Sequence, residues 1–210
     1  MPVETVNVPQ DLNVLYPEAT DDISAGDDHI RNTKKALKMF CWEEVGTSSV
    51  SGAASASTYA LIGAFVAGYD YLLVMDEAYI SGTTVTLNMR VTTGGGTADT
   101  GANYSFRRTI VAATETGASG TSQTAGALAA SFSDLSTQRG VVEILAINPG
   151  GTSNPRPFSY EVVMIDSAGV ATYIVGRIDY RQATAVDGIQ VYPASGTMTG
   201  TVKLYRRFRP

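Results

Sequence analysis

The sequence predicts a mainly β protein: an antiparallel β-sandwich, jelly-roll-like in kind, preceded by an extended arm and one N-terminal α-helix. Three observations carry that expectation. Short segments of alternating or unbroken apolar character recur from Tyr59 onward, clusters of turn residues separate them, and one segment alone has helical periodicity. Composition agrees, since Gly 21, Tyr 11 and many Thr and Ser suit pleated, half-exposed surfaces joined by tight turns.

Residues 1–45 read as an extended arm followed by an anchoring helix. Up to Asp22 the chain carries Glu4, Asp11, Glu18, Asp21 and Asp22 without a single Lys or Arg, and Pro2, Pro9 and Pro17 break any period. Such a segment buries little apolar surface of its own and is expected to order against a partner. Ile23 to Phe40 is the one helix the pattern supports. Ser24 is placed to N-cap it, with Asp27 three residues later as in a capping box. Asp27 and Asp28 near its start, and Arg31, Lys34, Lys35 and Lys38 further on, complement the helix dipole. Ile30, Leu37 and Phe40, with Thr33 between, form a narrow stripe, which suits docking to another chain better than lying on a broad core. Packing of this helix on the sandwich is the competing expectation.

Residues 46–58, rich in Gly, Ser and Ala, read as a flexible linker or a loose first strand, and residues 59–210 as the sandwich. Tyr71 to Met75 is a compact apolar run, and Thr84 to Val91 alternates, with Val85, Leu87, Met89 and Val91 on one face. Further strands are expected at Tyr104–Val111, Val141–Ile147, Tyr160–Asp166, Ala171–Tyr180, Gly188–Tyr192 and Thr199–Tyr205. Turn signals at Gly94-Gly95-Gly96, Asn148-Pro149-Gly150-Gly151 and Pro193-Ala194-Ser195-Gly196 punctuate them. Thr114 to Ala130, small and polar, reads as a long loop.

The chain offers little chemistry. His29 is the sole histidine and Cys41 the sole cysteine, so no triad, disulfide or zinc site is expected within the sandwich. Asp27, Asp28 and His29 are consecutive on a helix and point about 100° apart, which keeps them from converging on one metal ion. The Gly94–Gly96 run lacks the Lys-Ser/Thr of a phosphate loop and is read as a hairpin. Asp70, Asp76, Glu77, Asp134, Glu143, Glu161, Asp166, Asp179 and Asp187 could in principle supply a carboxylate pair, and sequence does not say which converge. Lys203, Arg206, Arg207 and Arg209, interleaved with Tyr205 and Phe208, would suit nucleic acid or an anionic glycan, a cationic edge strand, or contact with an acidic surface, the last two being favoured. A net charge of −5 argues against nucleic acid as a partner, and no span is apolar and long enough for membrane insertion by a helix. No catalytic residue, cofactor or metal is expected.

Asp22-Ile23-Ser24-Ala25-Gly26-Asp27-Asp28-His29-Ile30-Arg31, followed by Lys34, Ala36, Leu37 and Lys38, resembles a motif near the N-terminus of phage tail-fibre and tail-appendage proteins. That motif reads Ile-Ser-x-Gly-Asp-Asp-His-Ile-Arg and leads into a basic helix ending in Phe-Pro; here Phe40 is followed by Cys41. The resemblance covers roughly residues 20 to 40. It implies a non-enzymatic structural protein of a virion tail, made in the host cytoplasm and attached to the particle through Asp27, Asp28, His29, Ile30, Arg31, Lys34, Leu37 and Phe40. The implied partners are other virion proteins, namely a tail adaptor, tail tube or fibre subunits, with the chain itself a homotrimer. A capsid decoration or head fibre of the same construction, and a module binding a host surface glycan, are the alternatives.

Overall fold

A computed structural model describes residues 41–82, 84–132, 134, 136–152, 155–166 and 168–209. The expected arm and helix, Met1 to Phe40, lie outside the described residues. What is described is mainly β, with antiparallel sheets and almost no helix, as expected.

Thirteen strands and one short helix follow one another: β1 (Glu43–Ala53), β2 (Ala56–Ser57), α1 (Thr58–Ile62), β3 (Tyr69–Ile80), β4 (Leu87–Thr93), β5 (Thr97–Ala98), β6 (Tyr104–Val111), β7 (Glu115–Gln123), β8 (Gly126–Ala129), β9 (Gly140–Ala146), β10 (Arg156–Ile165), β11 (Ala171–Tyr180), β12 (Gly188–Pro193) and β13 (Met198–Phe208). A large sheet has the order β1-β13-β3-β9-β10-β11-β6-β7, and a smaller one has β2-β12-β4-β5, with β8 also pairing with β4. The pairings are nested: β1 with β13, β2 with β12, β3 with β9 and β4 with β8, closed by β13–β3 and β12–β4. Two hairpin-like additions, β10–β11 and β6–β7, extend the large sheet past β9.

Both sheets turn their apolar positions toward one core. In β10 the alternation is complete, with Phe158, Tyr160, Val162 and Met164 buried and Ser159, Glu161, Val163 and Ile165 exposed. That is the signature of a sheet wet on one side. Leu87, Met89 and Val91 of β4, expected on one face, are all fully buried. Leu128 of β8 and Phe132 just beyond it fill the same core.

Polar atoms tie the layers together. The Tyr104 hydroxyl accepts from the Val91 amide at 3.1 Å and donates to the Asp99 carbonyl at 3.0 Å, joining β6 to the neighbourhood of β4. Tyr180 donates to the Asp99 carboxylate at 2.6 Å. Tyr160 donates to the Ala127 carbonyl at 3.1 Å, and its burial pushes that hydroxyl up to about 12. A hydrogen-bonded polar group in the core costs far less than an unsatisfied one, so these tyrosines serve as both filling and fasteners.

Three local details sharpen or correct the expectations. The first strand starts at Glu43, and the small and polar stretch after Gly46, expected as a flexible linker or a loose first strand, pairs residue by residue with β13 from Thr47↔Lys203 to Val50↔Gly200. Backbone pairing asks little of side chains at a sheet edge. For the same reason Thr114 to Ala130, expected as a loop, supplies β7 and β8. β7 pairs with β6 and has no buried side chain, whereas β8 is short and mostly buried. Finally, β13 lies between β1 and β3 and is no edge.

Candidate functional site

Most charged groups that sequence singled out are committed within the fold. Arg206 Nε lies 2.9 Å from Glu43, Arg207 reaches Asp70 at 3.2 Å, and Arg209 reaches the same carboxylate at 3.6 Å. Lys203 faces Asp76 at 3.7 Å. The basic C-terminal strand therefore meets an acidic surface that belongs to its own domain. Arg206 and Arg207 also lie over the Tyr69 and Trp42 rings. Asp187 accepts the Gly95 and Gly96 amides at 2.7 and 3.0 Å, so the glycine run does cradle an anion, but an internal one. Asp166 accepts the Ala168 and Val170 amides and closes its own turn. Glu77 pairs with Arg139.

Asp134 lies in the connection between β8 and β9, with one carboxylate oxygen buried and unpartnered; the other groups left over share one place, the outer face of the large sheet across β9, β10, β11, β6 and β7. Antiparallel register puts directly opposed residues on the same face. One row across the strands reads Val141, Val163, Tyr173, Val111, and it is joined by Ile165 and Val175. Val163 is 55% exposed, Val111 43%, Val175 41% and Tyr173 37%, an apolar strip that single scattered surface residues do not make. The next row opposes Glu143 to Glu161, and the one beyond opposes Arg177 to Arg107. Like charges directly opposite each other destabilise a sheet. Desolvation and, after it, the neighbouring Glu161 carboxylate raise the Tyr173 phenol above its ordinary value. Arg177 is held by Asp179 at 2.7 Å, and among the described residues no carboxylate pairs with Arg107.

Among the described residues, a smaller and a larger hollow lie on this face. The smaller, about 270 Å³, is bordered by Trp42, Leu72, Leu145, Glu143, Glu161 and Val175. The larger, about 510 Å³, runs along β11, β6 and β7.

The attachment residues expected from sequence, Asp27, Asp28, His29, Ile30, Arg31, Lys34, Leu37 and Phe40, lie outside the described residues. Sequence reading passed over the outer face because its signal is relational. Arg107, Arg177, Glu143 and Glu161 look like ordinary solvated positions until the register sets them opposite one another. Among the described residues no group of three or more His, Cys, Asp or Glu could hold a metal ion, and no helix is long and apolar enough to cross a membrane. No protein-family model and no curated protein matches the chain.

Proposed function

We propose that this chain is a structural component of a bacteriophage virion, a tail-fibre or tail-appendage protein attached through its N-terminal segment and built as a homotrimer. The observation that carries the reading of the β domain is the apolar strip Val111, Val163 and Tyr173, a surface better suited to covering by another subunit than to water. Nested pairing supports reading the domain as a jelly roll: β1-β13-β3-β9 and β2-β12-β4-β8 follow the order of its two four-stranded sheets, with β10–β11 and β6–β7 as insertions. Jelly rolls recur in viral and lectin proteins, a warrant by analogy. The Gly26-Asp27-Asp28-His29 resemblance supports attachment through the N-terminal segment.

The domain works by contact and not by catalysis. Asp166 and Asp179, which could have served a carboxylate mechanism, are engaged in a turn and an ion pair. Glu143 and Glu161 are opposed on an open sheet face, where bulk water screens the charges that catalysis would have to exploit. Polysaccharide cleavage lost on Glu161→Gln would overturn this reading.

A reconstruction of the intact particle tests the assignment, with the chain expected in three symmetric copies on a tail appendage. Three copies on the head would favour the decoration or head-fibre reading instead. Ile30→Asp or Leu37→Asp is expected to abolish incorporation while the free protein melts as before, because a charge placed in a docking seam costs several kcal/mol. Unchanged incorporation would count against attachment through this helix.

A further inference from the structure

We infer that the hollow on β11, β6 and β7 is a binding site for a carboxylated sugar residue. The inference deepens the virion reading by giving its outward-facing domain a ligand, and it is tested on the free chain, where the location in a particle plays no part.

Outward-pointing side chains of three strands line the hollow: Ser105, Arg107 and Thr109 from β6, Ser119 and Thr121 from β7, and Arg177 with Asp179 from β11. Its volume of about 510 Å³ is that of a small-molecule site. Arg107 and Arg177 are direct partners across β6 and β11. An apposition of two cations weakens the free domain and is relieved by an anion set between them. Arg177 spends one side of its guanidinium on Asp179, with Nε and Nη2 both 2.7 Å from the same oxygen, which leaves further N–H donors. Arg107 is exposed and has its full set of donors to offer. Arg108, between them in sequence, points inward and donates to the Ala127 carbonyl at 3.0 Å.

The charge and lining select the anion. Two guanidinium groups against one carboxylate leave a single positive charge, which matches a monoanion better than a phosphate dianion. Asp179 repels a dianion about twice as strongly as a monoanion at the same distance, and its second oxygen can accept a sugar hydroxyl. Four Ser and Thr hydroxyls, each able to donate and accept, suit a polyhydroxylated ring. Bidentate guanidinium–carboxylate pairing supplies orientation. No outward aromatic lines the hollow, so it lacks the stacking platform that single-stranded nucleic acid uses. β7 is explained at the same time: it buries nothing, and it forms one wall.

The test is titration of the full chain with trigalacturonic acid and sialyllactose, beside lactose, inorganic phosphate and oligo(dT), followed by amide chemical shifts. Binding of at least one carboxylated sugar is expected, with shifts confined to β6, β7 and β11, and lactose should be weaker by about tenfold or more. Arg107→Ala and, separately, Ser119→Glu opposite it on β7 should each weaken it by about tenfold without lowering the melting temperature, since each relieves the apposition of Arg107 and Arg177. Two variants on different strands keep the test alive if one fails to fold. Equal binding of lactose, tighter binding of phosphate or oligo(dT), shifts elsewhere on the domain, or no sugar binding at about 10 mM would each overturn the assignment. None of these outcomes bears on whether the chain sits in a virion.

Discussion

Asp99 shows how much one side chain can organise. Burial alone would raise its carboxyl, yet the hydroxyl of Tyr180, the Gly101 amide and the Asn103 side chain donate to it, and the net effect is a value below the ordinary 3.8. A depressed folded value stabilises the fold fully above the unfolded value, and that stabilisation is lost as pH falls through the folded one. Acidification below about pH 4 should therefore cost the native protein more than it costs Asp99→Asn. Urea midpoints measured from neutral pH down to strong acid check this, and parallel profiles for the two proteins would refute it. Gly176 is the complementary case, a residue needed for what it lacks. A Cβ there would stand 2.5 Å from the Tyr160 ring carbon and its hydroxyl oxygen. Gly176→Ala is expected to displace the ring from the Ala127 carbonyl and to destabilise by about 1–3 kcal/mol, read by denaturant melts. A variant as stable as the parent would show that the ring has room to move.

Elements differ in what holds them. β9 and β10 lie inside the large sheet with Val142, Ile144, Phe158 and Val162 fully buried, whereas β7 hangs on β6 by backbone bonds alone. Amides of 115–123 should exchange with solvent on the order of a hundredfold faster than those of β9 and β10, as hydrogen exchange with mass spectrometry can resolve. Equal protection would mean that the outer wall is held by something other than β6. The same contrast explains what sequence disclosed. The expected strands Tyr104–Val111 and Ala171–Tyr180 coincide with β6 and β11 to the residue, because each is a run of β-favouring residues between turn signals. β1 and β7 left no such trace, being built mostly of Gly, Ser, Thr and Ala that pair through the backbone, with Val50 the one buried side chain of β1 and none in β7. The outer-face site was hidden for a further reason: Arg107 and Arg177 are far apart in sequence, and only the β6–β11 register brings them together.

For the whole molecule, the apolar strip sets the expected state of association. Val163→Asp puts an unpaired charge in its centre, and if this strip is the subunit contact the variant should run as a monomer in light scattering with its strand content retained, while the parent runs as a trimer. A monomeric parent, or a variant that stays assembled, would move the subunit contact elsewhere.

The pairing of β1 with β13 has a mechanical consequence. Glu43, at the start of β1, lies opposite Arg206, near the end of β13, so the chain enters and leaves the domain at one pole. The β1–β13 bonds lie side by side from Glu43↔Arg206 onward, with Glu43 and Arg206 as the pair nearest that pole. Were the same domain stretched between residues 42 and 209, those bonds would open one after another like a zipper. The fold is therefore weak toward a pull on its two chain ends, where only one pair of bonds bears the load at a time.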